Sequence, residues 1–260
     1  MNFFFGISNN EFDSTLTIPK FQNNAKHGND YKTYAASIIN EKWKIEKLNC
    51  LEDDDFFFVD KNFINNETFF FLSKEDNLRR EKTNLTEIIY PDKFTDTDPE
   101  YRASLEIFLK GGGFSSYQSE YPYRMIDKKS KLLTPLSSLL HRGNEKNFLI
   151  FRNIYFEPEY KNFNLYLINL DKMEVFKKIE VFTNKTNIIH IENEFIQEKN
   201  YILSDTFLGI PIFLSVNNGH LSLEHTHPPY HYILGKENFE LSNKWKNKIY
   251  EKIFTKNISI

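Results

Sequence analysis

The sequence predicts an α+β fold with several helices, and three observations support that prediction. Apolar residues recur at helical spacing in the first half of the chain, where Pro and Gly mark helix ends. From residue 147 onward, short apolar or alternating segments separated by turn residues predict strands. Aromatic residues make up 16% of the chain, and large rings favour strands and fill cores. We expect a single domain over 1–260, mixed over 1–145, with an antiparallel sheet or sandwich over 146–240 and a helix over 241–255.

Composition narrows the function classes. The formal net charge is −3 and the pI is about 6.2, which argues against a general nucleic-acid-binding surface. Cys50 is the only cysteine, so an intramolecular disulfide and a cysteine-based zinc site are excluded. No apolar run approaches the ~18 residues that span a bilayer. We therefore expect a soluble, cytoplasmic protein with no nucleic-acid partner and no transmembrane segment.

The first helix is predicted over residues 31–48, where Tyr34, Ile38 and Ile45 share a helical face. Two apolar segments follow, at 56–59 and 68–72, and the polar residues between them predict a hairpin turn. The sequence also predicts a short strand over residues 85–90, which Pro91 ends.

Two further helices are predicted from the residues that mark their ends. In each, an N-cap residue precedes a proline, and a glycine follows the last apolar residue, as is typical of helix ends. The first runs from Asp98 and Pro99 to Gly111, and the second from Thr134 and Pro135 to Gly143.

The sequence predicts mainly strands in the second half of the chain. The predicted strands are 147–156, 163–169, 174–183, 187–191, 200–203, 207–216 and 219–227. Asn217, Asn218 and Gly219 form a tight-turn signal, because Asn and Gly tolerate positive φ. In the final helix, Trp245, Ile249 and Ile253 are spaced four apart.

A histidine cluster is the strongest chemical signal. Four of the seven histidines lie in one short run, at His220, His225, His227 and His231. Strand alternation places His225 and His227 on one face, and Glu224 on the other. Imidazole is the commonest protein ligand of transition metals and the usual acid or base at neutral pH.

Three interpretations of this cluster remain open. His225, His227 and His231 form a candidate site for one divalent metal ion, with positions left for water and substrate. Alternatively, His225 and His227 act as metal-free acid and base, with Glu224 or Asp205 orienting one of them. In the third interpretation, the histidines are structural and hydrogen-bond to backbone carbonyls.

The spacing of Gly219, His225 and His227 resembles the first motif of the cupins, a family in which the two histidines are metal ligands. The resemblance covers residues 219–235 only. His231 stands where the cupin motif has a glutamate, and Gly235 comes too early. The second motif, with its own histidine, is missing. We interpret the match as local spacing and carry no cupin fold over to this chain.

The glycine-rich segment 110–124 is the second candidate site. The backbone amides of Gly112 and Gly113, with Ser115, Ser116 and Arg124, would suit a phosphate. Its tyrosine rings could also stack on a sugar, and its glutamine and hydroxyl groups could form hydrogen bonds with it. The alternative is a helix C-terminus that leads into a surface loop.

Together these signals predict a soluble enzyme acting on a small polar metabolite, a sugar or a sugar phosphate. His225, His227 and Glu224 would carry out acid/base or metal-assisted chemistry, and the glycine-rich segment would bind the ligand. The competing hypothesis is a non-catalytic β-rich module that binds a glycan or a protein. The sequence leaves the oligomeric state open.

Overall fold

The structure, a computed structural model, shows a mostly β protein. It describes residues 2–20, 30–74, 81–82, 84–85, 102–126, 130–139, 145–225 and 236–256, without the side chains of 124, 225, 236 and 256. Four small sheets adopt a β-propeller-like arrangement, and these residues contain one α-helix. The predicted α+β fold with several helices is therefore wrong.

Nineteen strands, the helix α1 and four short 3-10 helices make up the described elements. The first ten strands are β1 (Asn2–Phe5), β2 (Phe12–Pro19), β3 (Lys32–Ile39), β4 (Lys42–Lys47), β5 (Leu51–Glu52), β6 (Phe56–Val59), β7 (Phe69–Ser73), β8 (Glu81–Lys82), β9 (Ala103–Leu109) and β10 (Phe114–Ser119). They are followed by β11 (Tyr121–Pro122), β12 (Leu133–Pro135), β13 (Lys146–Arg152), β14 (Asn162–Asn169), β15 (Glu174–Phe182), β16 (Thr186–His190), β17 (Asn200–Ser204), β18 (Ile210–Asn217), β19 (His220–His225) and α1 (Lys236–Lys256).

All strand pairs that the structure describes are antiparallel. The first sheet has the order β11-β1-β7-β3-β4-β8, and the second has the order β10-β9-β2-β6-β5. The third sheet is β12-β17-β14-β15, and the fourth is β16-β13-β18-β19. The third and fourth sheets come entirely from the second half of the chain, whereas the first and second interleave segments of the first half.

Three hydrophobic clusters hold the sheets together. The largest cluster joins the first and second sheets to one face of the fourth. The second cluster packs the opposite face of the fourth sheet against the third. A smaller third cluster packs Ile249 and Ile253 of α1 on the outer face of the third sheet. Strand β13 therefore contributes to two cores, because its alternate side chains face opposite ways.

The helix predicted over residues 31–48 is a β-hairpin. Strands β3 and β4 pair from Tyr34 opposite Lys47 to Ile39 opposite Lys42. The turn between them places Asn40 at φ 50° and Glu41 at φ 59°. Two successive positive φ values are typical of the tight turns whose twist matches that of paired strands.

The other two predicted helices are also wrong where the structure describes them. Residues 103–109 form β9, and Gly111, at φ 82°, lies in the turn after that strand. Residues 133–135 form β12, which is followed by a short 3-10 helix, Leu136–Leu139. Residues 98–101 and 140–143 lie outside the described residues.

The predicted hairpin of 56–59 with 68–72 is wrong in its pairing, although both strands exist. Strand β6 pairs with β2 and β5, whereas β7 pairs with β1 and β3 in a different sheet. Residues 86–90 of the strand predicted over 85–90 lie outside the described residues.

Every strand predicted from residue 147 onward has a counterpart, although β13 ends four residues before the predicted end and β18 begins three residues after the predicted start. Residues 226–227 of the last predicted strand lie outside the described residues. The turn between β18 and β19 is confirmed, with Asn218 at φ 49° and Gly219 at φ 75°. The final helix is confirmed as α1. No helix in the described part of the chain has the length and the hydropathy needed to cross a bilayer.

Candidate functional site

The structure brings the two sequence motifs together at one place. The turn between β9 and β10 packs on the turn between β18 and β19. The amide of Gly112 donates to the carbonyl oxygen of Leu109 at 2.9 Å, and the amide of Gly113 donates to that of Gly219 at 2.8 Å. The two amides that were predicted to bind a phosphate are thus engaged with backbone carbonyls.

The remaining residues of the predicted anion site do not share one face. Ser115 pairs with Ile107, which is buried, while Ser116 pairs with Glu106 on the opposite face of the second sheet. Alternation along β10 therefore separates the two hydroxyl groups. The backbone of Arg124 belongs to a 3-10 helix, Tyr123–Met125, but its side chain lies outside what the structure describes.

The histidine cluster begins on strand β19. Leu221 and Leu223 of this strand pack on the largest core cluster, while His220 and Glu224 are exposed on the other face. The side chain of His225 and all of His227 and His231 lie outside the described residues. Within the described residues, no group of three or more His, Cys, Asp or Glu side chains is placed to hold a metal ion. The structure thus gives the metal-site expectation no support, and the catalytic roles of His225, His227 and Glu224 stay predictions.

The outer face of the second sheet carries rows of polar side chains. Strand register places Gln118, Ser104 and Thr17 side by side on β10, β9 and β2. The neighbouring row contains Ser116 and Glu106, again on β10 and β9, and continues to Thr15 on β2. The opposite face of the same strands is buried in the largest core cluster.

Aromatic side chains flank these polar rows at both ends. Phe108 and Phe114 lie at the β9–β10 turn, with ring centroids 5.8 Å apart. Phe56 and Phe58 lie on β6, with ring centroids 6.1 Å apart. Phe114 is 65% exposed, so its ring is open to solvent at this end of the rows.

A groove of about 620 Å³ lies against this outer face and reaches strand β19, and its lining also includes Ala103, Tyr117 and Leu223 from the core-facing side. It therefore unites a predicted ligand-binding residue, Ser116, with the strand of the histidine cluster. Its lining residues are Thr17, Pro19, Phe56, Arg102, Ala103, Ser104, Ser116, Tyr117, Gln118 and Leu223.

Arg102 organises the polar side of the groove. Its Nη1 donates to the amide oxygen of Gln118 at 2.8 Å, and its Nε lies 3.2 Å from Oε2 of Glu120. The Glu120 side chain is only 8% exposed, so this ion pair is shielded on one side from water. With its oxygen held by Arg102, the Gln118 amide keeps its NH2 group for donation into the groove.

Tyr117 lines the groove from the core-facing side of β10, where its ring packs on the largest core cluster. Burial raises the pKa of the Tyr117 phenol, the charge of Glu120 raises it further, and Arg102 partly opposes the shift. The phenol is therefore protonated at physiological pH.

Of the residues that line the groove, the sequence predicts Ser116 but not Arg102, Ser104 or Thr17. A helix over residues 98–111, which the sequence favours, would not align Ser104 with Thr17 and Gln118. The signal that could have found them is the alternation in 103–109, where Ala103, Leu105 and Ile107 face the core.

The lining of the groove is suited to recognising a polyhydroxylated ligand. Hydroxyl, amide and guanidinium groups supply hydrogen bonds, and the ring of Phe56 supplies apolar contact area. No protein-family model, no curated protein and no solved structure matches this chain. The groove itself is therefore the basis for assigning a function.

Proposed function

We propose that the protein binds a neutral carbohydrate in the groove between the second sheet and β19. The observation that carries the proposal is the composition of that groove, in which aromatic rings lie beside a row of hydroxyl and amide groups. Sugar rings place C–H groups on one face and hydroxyls around the edge, so they match such a surface. A groove of about 620 Å³ also falls within the usual range for ligand sites, about 300–1,000 Å³.

The charge balance favours a neutral sugar over a sugar phosphate. Arg102 is the cationic residue that lines the groove, and Glu120 already pairs with it at 3.2 Å. A phosphate would have to compete with that carboxylate for the guanidinium, and it would be repelled by the carboxylate charge. A neutral ligand leaves the pair intact and accepts hydrogen bonds from the Gln118 amide.

The test is to fill the groove without disturbing the core. Ser104 lies exposed at the centre of the polar row, so Ser104→Tyr should occupy the ligand volume and abolish binding. Ser37→Tyr on β3 of the first sheet introduces the same ring away from the groove and is the matched control. The measurement is binding to an array of neutral oligosaccharides, followed by titration calorimetry with the best ligand. Equal binding by Ser104→Tyr and wild type, or no binding by wild type, would refute the proposal.

One observation favours a second candidate, His-based chemistry on the bound sugar. Leu223 lines the groove, and His225 follows two residues later on the same strand. Incubation of a bound oligosaccharide with wild type and with His225→Gln tests this candidate. Turnover by wild type that His225→Gln abolishes, with binding retained, would support an enzyme. Unchanged oligosaccharide in both samples would mean that the protein binds the sugar without catalysing a reaction on it.

We also propose a cytoplasmic location for this activity. The support is the presence of a single cysteine, Cys50, in a chain of 260 residues, since secreted binding modules commonly rely on disulfides. Fractionation of cells that express the untagged protein tests this.

A further inference from the structure

Arg152 is a fully buried arginine at the end of strand β13. Its side chain lies on the same strand face as Phe148 and Ile150, which pack in the largest core cluster. Its Cζ atom is 5.9 Å from the ring centroids of both Phe5 and Phe69. Charged side chains are almost never completely buried unless they are paired, so the partners of this guanidinium need to be identified.

Only one nitrogen of the guanidinium has acceptors in the described part of the chain. Nη1 donates to the carbonyl oxygen of Asn66 at 2.8 Å and to Oγ1 of Thr186 at 3.2 Å. Nε and Nη2 are buried and have no acceptor among the described residues. These two nitrogens form the side-on edge of the guanidinium, whose parallel N–H groups bind a carboxylate or a single small anion.

The charge of Arg152 has no carboxylate partner in direct contact among the described residues. Burial lowers the pKa of the guanidinium to about 10, against the opposing influence of Tyr121, Tyr160 and Glu67, so the group still carries its charge at neutral pH. Of these three, only Glu67 is a carboxylate, and it is exposed and lies 3.2 Å from Lys185. No carboxylate of the described residues forms an ion pair with Arg152. A water molecule would satisfy the two N–H groups but not the charge, whereas an anion would satisfy both.

We infer that the side-on edge of Arg152 binds one small monovalent anion inside the core, either a halide or the carboxylate of a small acid. The anion accepts hydrogen bonds from Nε and Nη2 while Nη1 stays bonded to the backbone of Asn66. Because Nε and Nη2 are buried, the anion is a structural component that stabilises the folded state. The site is independent of the proposed carbohydrate groove.

Bromide is the direct probe. Crystals of the wild-type protein grown in sodium bromide should show an anomalous peak at the bromine edge, within hydrogen-bonding distance of both Nε and Nη2. A second crystal grown with excess formate should lose that peak if carboxylates share the site. An ordered water or a side chain in the same position, with no anomalous peak, would overturn the inference.

Stability in solution gives an independent readout. At constant ionic strength, replacing gluconate with chloride from 1 to 100 mM should raise the melting temperature by roughly 5 °C, because a ligand of the folded state stabilises it by mass action. Arg152→Met should lose this dependence. Lys248→Met, which removes an exposed lysine of α1, should keep it. If Arg152→Met does not fold, the bromide map of the wild type decides the question. A wild-type melting temperature that is the same in chloride and in gluconate would overturn the inference.

Discussion

The N–H group of Gly113 donates to the carbonyl oxygen of Gly219, and this bond joins the tips of two hairpins from different sheets. A Cβ atom on Gly113 would lie 3.2 Å from that oxygen, and a Cβ atom on Gly112 would lie 2.8 Å from it. Side chains other than hydrogen would hold the two turns apart. The glycines therefore allow backbone to contact backbone, whereas the sequence predicted that they bind a phosphate.

Gly112→Ala should destabilise the protein by about 1–3 kcal/mol, because the added methyl group must displace a backbone carbonyl. Gly111→Asn is the control, since no atom of the described residues lies within 4 Å of its Cβ position, and its φ of 82° imposes only backbone strain, which Asn tolerates better than most residues. That variant should lose no more than about 1 kcal/mol. Urea denaturation measures both. Equal stability of the two variants would mean that the hairpin tips do not touch in solution.

The β3–β4 turn offers a stabilising substitution. Glu41 is exposed at φ 59°, a conformation that disfavours residues with a Cβ by about 1–2 kcal/mol. Glu41→Gly should therefore raise the free energy of unfolding by up to about 1 kcal/mol, since Asn-Gly is a preferred two-residue turn. Urea denaturation of wild type and variant measures the change.

A second glycine variant separates the hairpin from the predicted helix. Glu46→Gly, at an exposed position within β4, should destabilise the protein by about 0.5–1 kcal/mol. In a helix over residues 31–48, both glycine substitutions would be unfavourable. Loss of stability in Glu41→Gly would therefore argue against the hairpin.

The same residues explain why sequence reasoning misassigned the first half of the chain. Tyr34 and Ile38 are four apart, and this spacing satisfies both a helical period and strand alternation. Their turn, Asn40-Glu41, lacks the glycine that marks most tight turns. In the second half, Asn217, Asn218 and Gly219 carry the usual turn signal, so the strands on either side could be predicted.

Strand pairing and most of the groove depend on contacts that are distant in sequence. Strands β6 and β7 are consecutive but belong to different sheets, and no local signal distinguishes this arrangement from a hairpin. Arg102 reaches Gln118 only because β9 and β10 pair. Ser116 could be predicted because it lies in a conspicuous segment, whereas Arg102 could not.

Lys246 on α1 predicts a pH dependence of stability. Burial lowers its pKa to about 8, whereas an unfolded lysine titrates near 10.4. Between these values the unfolded state binds more protons than the folded state, so the free energy of unfolding rises with pH. Urea denaturation at pH 7 and pH 9.5 should show a gain on the order of 1–2 kcal/mol for wild type relative to Lys246→Met.

The control for this comparison lies on the same helix. Lys248 is exposed, so Lys248→Met removes a lysine without relieving a buried charge. The pH dependence of Lys248→Met should follow that of wild type. Parallel curves for wild type and Lys246→Met would contradict the burial of Lys246.

Asn184 fastens the β15–β16 turn to the loop that follows β13. It is fully buried at φ 57°. Its Oδ1 accepts from the Tyr155 amide at 2.7 Å, and its Nδ2 donates to the carbonyl oxygens of Glu157 and Glu159 at 2.9 Å each. Asn184→Ala leaves these backbone groups unsatisfied and forces Ala into a left-handed conformation. The expected loss is about 3–5 kcal/mol.

A comparison with an exposed asparagine isolates the contribution of these hydrogen bonds. Asn218 has a similar φ of 49° but lies exposed in the β18–β19 turn. Asn218→Ala should therefore lower the free energy of unfolding only by the strain of placing Ala at a positive φ, about 1–2 kcal/mol. Asn184→Gly should avoid this backbone strain, because glycine tolerates a positive φ. It should still be much less stable than wild type, because glycine makes none of the three hydrogen bonds. Thermal unfolding of the three variants measures the difference. If Asn184→Ala were no less stable than Asn218→Ala, the buried bonds would contribute nothing net, and the anchoring of this loop would have to come from the packing of Tyr155 instead.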